Sequence, residues 1–178
     1  MEWIFVIIVI GAVLLWYITT RNSLRRAEVK IDEALSDIDV ALIKRNDVLV
    51  KMLDISKSYA KYEKETILAT INLRSGLSMA DRKQLSDEMN KLNDFISAVA
   101  ENYPELRSSE NFKQLQISVM DVEEHLQAAR RLYNGNVSSL NQKIASFPGS
   151  LVAKQLKLLP REFIEAEDKK KQDVRMEF

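Results

Sequence analysis

The sequence predicts an all-α protein: an N-terminal transmembrane helix followed by a long-helix antiparallel bundle, with three long helices plus a short C-terminal helix. Three observations predict it. Gly and Pro number only 4 and 3 in 178 residues, while good helix formers abound. No charge occurs from Trp3 to Thr20, a run that meets the ~18 residues needed to span a bilayer. Beyond it, apolar residues recur in steps of three and four over long stretches, the spacing of helices that pack along one face. Residues 1–20 are read as the anchor, 21–167 as the bundle and 168–178 as a charged tail.

The anchor competes with two other readings. A cleaved signal peptide wants a basic start and a small-residue cleavage site, but the chain opens Met1-Glu2 and no Ala-x-Ala follows. A buried core helix is rarely apolar all round at an N-terminus. Trp3, Trp16 and Tyr17 stand near the two ends of the run, where amphipathic rings favour the membrane interface. Arg21, Arg25, Arg26 and Lys30 follow it, offset only by Glu28. The excess of positive charge predicts a single-pass protein of the cell membrane, N-terminus outside and bundle cytoplasmic.

The first bundle helix is read from Leu24, Ala27, Ile31, Ala34, Ile38 and Ala41, then Val48, Met52, Ile55, Tyr59, Tyr62, Thr66, Ala69 and Leu73. Leu35, Leu42 and Leu49 widen the stripe, and Arg45 alone interrupts it. With no Gly or Pro between Gly11 and Gly76, the helix is expected to run for about 75 Å. A turn is expected at Arg74-Ser75-Gly76-Leu77-Ser78, with Ser78 capping the next helix. That second helix carries Leu85, Met89, Leu92, Ile96, Val99 and Tyr103, and Pro104 ends it. The third, capped by Ser108 or Ser109, carries Phe112, Leu115, Val119, Val122, Leu126, Ala129, Tyr133, Val137, Leu140 and Ile144.

Asn134-Gly135 lies inside this third register. The dipeptide is a strong hairpin signal, but its flanks have no strand alternation and the helical spacing crosses it unbroken. A helix containing Gly135 is expected, at about 1 kcal/mol against alanine. Phe147-Pro148-Gly149-Ser150 ends the third helix. Leu151 to Leu159 is a short amphipathic segment, and Pro160 is expected to start a last helical turn.

Much chemistry is excluded. Without cysteine there is no disulfide, thiol catalysis or Cys-ligated metal. The one histidine, His125, cannot build the paired Glu-x-x-His motifs of a bundle metal centre. It adjoins the core position Leu126, so a solvated flank is its ordinary state. The four glycines are isolated, so no phosphate-binding loop exists, and no Gly-x-Ser-x-Gly elbow is present. Acids and bases balance at 26 each, which gives nucleic acid no basic surface. No catalytic residue, metal or cofactor is assigned, and no enzyme is expected.

Several stretches carry a family resemblance. They are Ile38-Asp39-Val40-Ala41-Leu42 with Arg45-Asn46-Asp47; Tyr59-Ala60-Lys61-Tyr62-Glu63-Lys64-Glu65-Thr66; and Ala100-Glu101-Asn102-Tyr103-Pro104-Glu105-Leu106. Further on come Glu110-Asn111-Phe112-Lys113-Gln114-Leu115-Gln116, Ala129-Arg130-Arg131-Leu132-Tyr133-Asn134, Ser146-Phe147-Pro148 and Pro160-Arg161-Glu162-Phe163. In this order and spacing the chain resembles LemA proteins from end to end. The resemblance implies a membrane-anchored, mostly helical bundle with no established enzymatic activity. Gly135 and Leu140 depart from the family pattern, which has a helix former and an aromatic there.

Two surfaces are candidates. Antiparallel packing from the tip of the first helix, with later helices of ~36 and ~57 Å, would leave its membrane-proximal part without a partner. An unpaired apolar stripe is an interaction surface, so Leu24, Ile31, Leu35, Ile38 and Leu42 are expected to join copies of the chain, unless the C-terminal segment covers them. Arg130, Arg131, Asn134 and Asn141 form a candidate partner surface, against the blander reading of solvated cations and amides bonded within the bundle. The expected partners are membrane lipid, the chain itself as a homo-oligomer, and another membrane protein. The expected function is a self-assembling, non-enzymatic scaffold that organises or shapes membrane. The alternative is an adaptor presenting a cytosolic bundle to another membrane protein.

Overall fold

The absence of helix breakers after Gly11 has its direct consequence in α1, one unbroken helix over Glu2–Tyr59. The computed structural model describes residues 2–59 and 78–164. Four more helices follow among these residues: α2 (Met79–Asn102), α3 (Pro104–Ser108), α4 (Glu110–Ala145) and α5 (Gly149–Gln155). The expected turn at Arg74–Ser78, except Ser78 itself, lies outside the described residues, as do the stripe positions from Tyr62 to Leu73 and the charged tail.

The helix ends follow local chemistry. Ser78 caps α2 with a full capping box: its hydroxyl accepts from the Asp81 N–H at 3.2 Å, and its own N–H donates to the Asp81 carboxylate at 3.0 Å. The Ser78 hydroxyl and N–H both hold the Asp81 carboxyl below the usual carboxylate range. Pro104 ends α2 at Asn102 and starts α3, a short helix that the sequence reading treats as a break. α4 runs straight through Asn134-Gly135, as the stripe predicts. The Phe147-Pro148 peptide is cis.

The described chain divides into two compact units, one of residues up to Ala34 with those from Arg131 onward, the other Leu35–Arg130. In the central unit, Leu42, Leu49 and Met52 of α1 meet Met89 and Ile96 of α2, Leu106 of α3, and Phe112 and Leu126 of α4 as a buried core. Arg82 grips Asp39 with two charge-assisted bonds of 2.6 and 2.7 Å. Arg45 donates to Asn90 at 2.6 Å and lies 3.2 Å from Glu123.

These pairs correct the topology. From Asp39 to Arg45 on α1 the partners advance from Arg82 to Asn90 on α2. An antiparallel pairing would leave one of the two contacts roughly 20 Å out of register. Hence α1 and α2 run parallel here, against the antiparallel expectation. α4 is antiparallel to α2, because Glu123 lies level with Asn90 through Arg45, whereas Arg130 reaches back to Ser86 at 2.9 Å. Tyr103, expected on the buried stripe of α2, is 37% exposed.

In the terminal unit, Lys143 donates to Ser23 at 2.9 Å and Asn136 to the Lys30 carbonyl at 2.9 Å. The numbers run oppositely, so α4 is antiparallel to α1. Leu24, Ala27, Ile31 and Ala34 are buried with Tyr133, Val137 and Leu140 of α4 and with Val152 and Ala153 of α5. The stripe from Leu24 to Ala34, expected to lie near the membrane, is therefore buried within the chain. Leu24, Ile31, Ile38 and Leu42 are each at most 2% exposed and Leu35 is half-buried. This removes the unpaired stripe on which the interface between copies was expected. The length argument assumed that α2 packs antiparallel on α1, whereas α2 runs parallel to it and α4 returns alongside Ser23 and Lys30.

Two glycines of α4 and α5 differ in what surrounds them. A Cβ at exposed Gly135 would meet nothing within 4 Å, whereas one at Gly149 would lie 2.6 Å from the Lys143 carbonyl oxygen. Gly135→Ala is expected to raise the stability of the detergent-purified chain by about 1 kcal/mol. Gly149→Ala is expected to lower it by about 1–3 kcal/mol, both read from thermal unfolding. Covering of the stripe is checked by thiol labelling in native membranes, since the chain has no cysteine. Val29→Cys, at a position 54% exposed, reacts readily, and Ile31→Cys, at one 2% exposed, resists. Equal reactivity would mean an open stripe.

Candidate functional site

The polar signature residues gather around an extended segment of the terminal unit. α5 ends with Lys157 in the left-handed region, φ 53°. The Leu158 N–H donates to the Ala153 carbonyl at 3.0 Å and the Lys157 N–H to Lys154 at 3.1 Å, a Schellman ending without its usual glycine. Leu158–Ile164 has no helix. The helical turn expected from Pro160 is absent, because the backbone groups of this segment are taken by side chains of α4 instead.

Asn141 brackets Arg161: its amide donates to the Arg161 carbonyl and its oxygen accepts the Arg161 N–H, both at 2.9 Å. Asn134 does the same to Ile164, again at 2.9 Å twice. Between them the Tyr133 hydroxyl donates to the Glu162 carbonyl at 3.1 Å. Each asparagine thus replaces the neighbouring strand of a sheet, exchanging both bonds with one residue. The spacing explains the match. Seven residues of helix rise about 10.5 Å, and three residues of extended chain span about the same. Two asparagines a heptad apart therefore hold the first and last residues of a four-residue strap.

This settles what the candidate surface is made of. Asn134 and Asn141 are brought together by the strap, and their amides are spent on it. Asn136 is spent on the Lys30 carbonyl. Arg130 is half-buried in the central unit and donates to Ser86, while Arg131 is exposed. The four do not form one free polar face. The bonding within the bundle, weighed above as the blander reading, describes both candidate asparagines. Gly135 has open space around it and approaches no other described part of the chain. His125 is exposed, as its place beside Leu126 predicts.

Sequence reasoning missed the strap. Its signal was present in the seven-residue spacing of Asn134 and Asn141, with Tyr133 at a core position. Nothing in that spacing names the segment it holds. It also read Arg45 as an interruption of the stripe and as part of a signature stretch, without a structural role, although Arg45 is 4% exposed and is the cation around which α1, α2 and α4 meet in the central unit. Among the described residues no group of three or more His, Asp and Glu side chains could hold a metal ion.

Among the described residues the protein is all-helical, with one long apolar N-terminal helix and with Asn134, Asn136 and Asn141 committed to contacts within the chain. A sequence model of the LemA family matches residues 34–178. Protein LemA of Metamycoplasma hominis is 30% identical over 176 residues, covering 96% of this chain and 80% of the relative. The chain belongs to the LemA family. The family match contains every signature stretch quoted above and begins after the apolar run.

Loss of either asparagine frees two backbone groups of the strap. Asn134→Ala is expected to weaken the strap by about 2 kcal/mol, at ~1 kcal/mol per hydrogen bond. Amide exchange at Ile164 then accelerates by about 30-fold, with helix content unchanged. An unchanged exchange rate would mean that the strap is held by something other than Asn134.

Proposed function

We propose that this protein is a single-pass membrane scaffold that acts by binding and not by catalysis, with its N-terminus outside and its helical bundle in the cytoplasm. The observation that carries the reading is the character of α1. Its first part is apolar and leaves none of its hydrophobic window buried within the chain. Without a break the same helix becomes a buried stripe from Leu24 onward. A helix apolar all round needs an apolar solvent, whereas a striped helix needs a packed partner. The change falls at the Arg21–Lys30 cluster, and the excess of cations there supports a cytoplasmic bundle.

A scaffold can assemble with itself or present its surface to another membrane protein. Burial of Leu24, Ile31, Ile38 and Leu42 inside one chain favours the second, an adaptor that offers a prefolded bundle at the membrane surface. Self-assembly loses the surface that recommended it. The family name carries no activity.

Topology and attachment are tested together by placing single cysteines in the cysteine-free chain. On intact cells a membrane-impermeant maleimide is expected to label Glu2→Cys and to spare Lys113→Cys, an exposed site on α4. Lys113→Cys becomes reactive once the cells are opened. The reverse pattern would place the bundle outside. Release of the chain from membranes by alkaline carbonate would overturn the anchor.

A further inference from the structure

At the end of the apolar run, α1 and α4 of the terminal unit border a groove of about 340 Å³, at the small end of the ~300–1,000 Å³ usual for ligand sites. Its cations are Arg26, Lys30 and Lys143, and among the described residues no carboxylate lines it. Arg26 and Lys30 stand four residues apart on one helix, a like-charge spacing that destabilises unless an anion sits between them. Neither makes an ion pair with a described residue, in contrast to Arg25, which pairs with Glu28 at 2.7 Å. The third cation comes from the other helix. Lys143 is half-buried and held 2.9 Å from the Ser23 hydroxyl, a neutral partner that leaves its charge uncompensated. Thr19, Asn22 and Ser139 add neutral hydrogen-bonding groups to the wall.

We propose that this groove binds the phosphate of an anionic phospholipid headgroup, an inference that rests on α1 spanning the membrane. Three cations converging from two helices, with hydroxyls and amides between them, match the charge and the acceptor oxygens of a phosphodiester. The groove begins at Thr19, where the uncharged run ends. Ser23 and Arg26 follow within about 10 Å along the helix, close to the depth of the headgroup layer. Basic pockets at this level are the usual way helices select anionic lipid. Beside the groove, Lys143 also borders a second recess with Thr19, Thr20 and Phe147. Phe147 is 81% exposed, an aromatic placed level with the end of the span, where it can enter the interface next to the bound lipid. The groove thereby ties α4, and not α1 alone, to the membrane surface.

The test uses the full chain in detergent micelles doped equally with phosphatidylglycerol and phosphatidylcholine, with retained lipid counted by native mass spectrometry. Phosphatidylglycerol is expected to be retained at least about tenfold over phosphatidylcholine. Arg26→Gln/Lys30→Gln/Lys143→Gln brings the ratio close to one. Arg26→Gln/Lys30→Gln, confined to exposed positions, lowers it with helix content and melting unchanged. Arg21→Gln/Arg25→Gln, outside the groove, leaves it in place. Equal loss in that control would mean diffuse attraction of a basic collar and would overturn the site. So would unchanged preference in the triple variant. Protection of the lipid-free chain against thermal unfolding by inorganic phosphate, as strong as that by phosphatidylglycerol, would make it a free-anion site and overturn the lipid assignment. Micelles read headgroup choice whether or not α1 spans a membrane in the cell, so failure here is distinct from failure of the topology test.

Discussion

One helix that meets no breaker, α1, supplies a buried face to each of the two compact units of the described chain. Between Gly11 and Gly76 nothing in the sequence interrupts backbone hydrogen bonding, so α1 continues from an all-apolar surface into a one-sided stripe without a hinge. An amphipathic helix of this length cannot satisfy its stripe alone. In the terminal unit a narrow stripe, Leu24, Ala27, Ile31 and Ala34, is buried with α4 and α5. In the central unit the buried face widens to include Ala41 with Leu42 and Met52 with Leu53, because α2 and α4 both lie against it.

Polar residues fix where those partners sit. Apolar stripes tolerate sliding by a turn, but a buried guanidinium does not. Arg45, 4% exposed, must keep Asn90 and Glu123 within reach, and Arg82 must keep Asp39. Such pairs add little net stability once desolvation is counted, and breaking one is costly. We infer that their role is register. In the terminal unit Asn134 and Asn141 have the equivalent task for a segment with no secondary structure of its own. They supply the paired donors and acceptors that an extended chain otherwise finds only in a sheet.

Asn134, Asn136, Asn141, Tyr133, Arg45 and Arg82 all spend their polar groups on contacts within the chain. The chain belongs to the LemA family, and the scaffold role is a proposal made on the character of α1. The cations of the anchor-proximal groove stand apart from this pattern. Among the described residues the side chains of Arg26 and Lys30 make no hydrogen bond or ion pair, and both follow the end of the uncharged run. A helical platform that reads headgroup charge at its base would be held at a defined height and orientation on the membrane.

The sequence by itself determined the helical class, the long apolar N-terminal helix, the capping of α2 at Ser78, the stop before Pro104 and the passage of α4 through Asn134-Gly135. All of these are local: they depend on spacing, caps and breakers within a few residues, which a chain carries wherever it folds. Only the tertiary structure decided that α2 runs parallel to α1, that α4 and α5 cover the membrane-proximal stripe, and that Arg161–Ile164 is a strap and not a helix. Stripes record which face is buried and are silent on direction, since an apolar face packs either way along a partner. Direction and partner were settled by a few long-range polar contacts, Arg82 with Asp39, Lys143 with Ser23, Asn134 with Ile164, between residues 43, 120 and 30 positions apart. Pairings at such separations leave no periodic trace in the sequence.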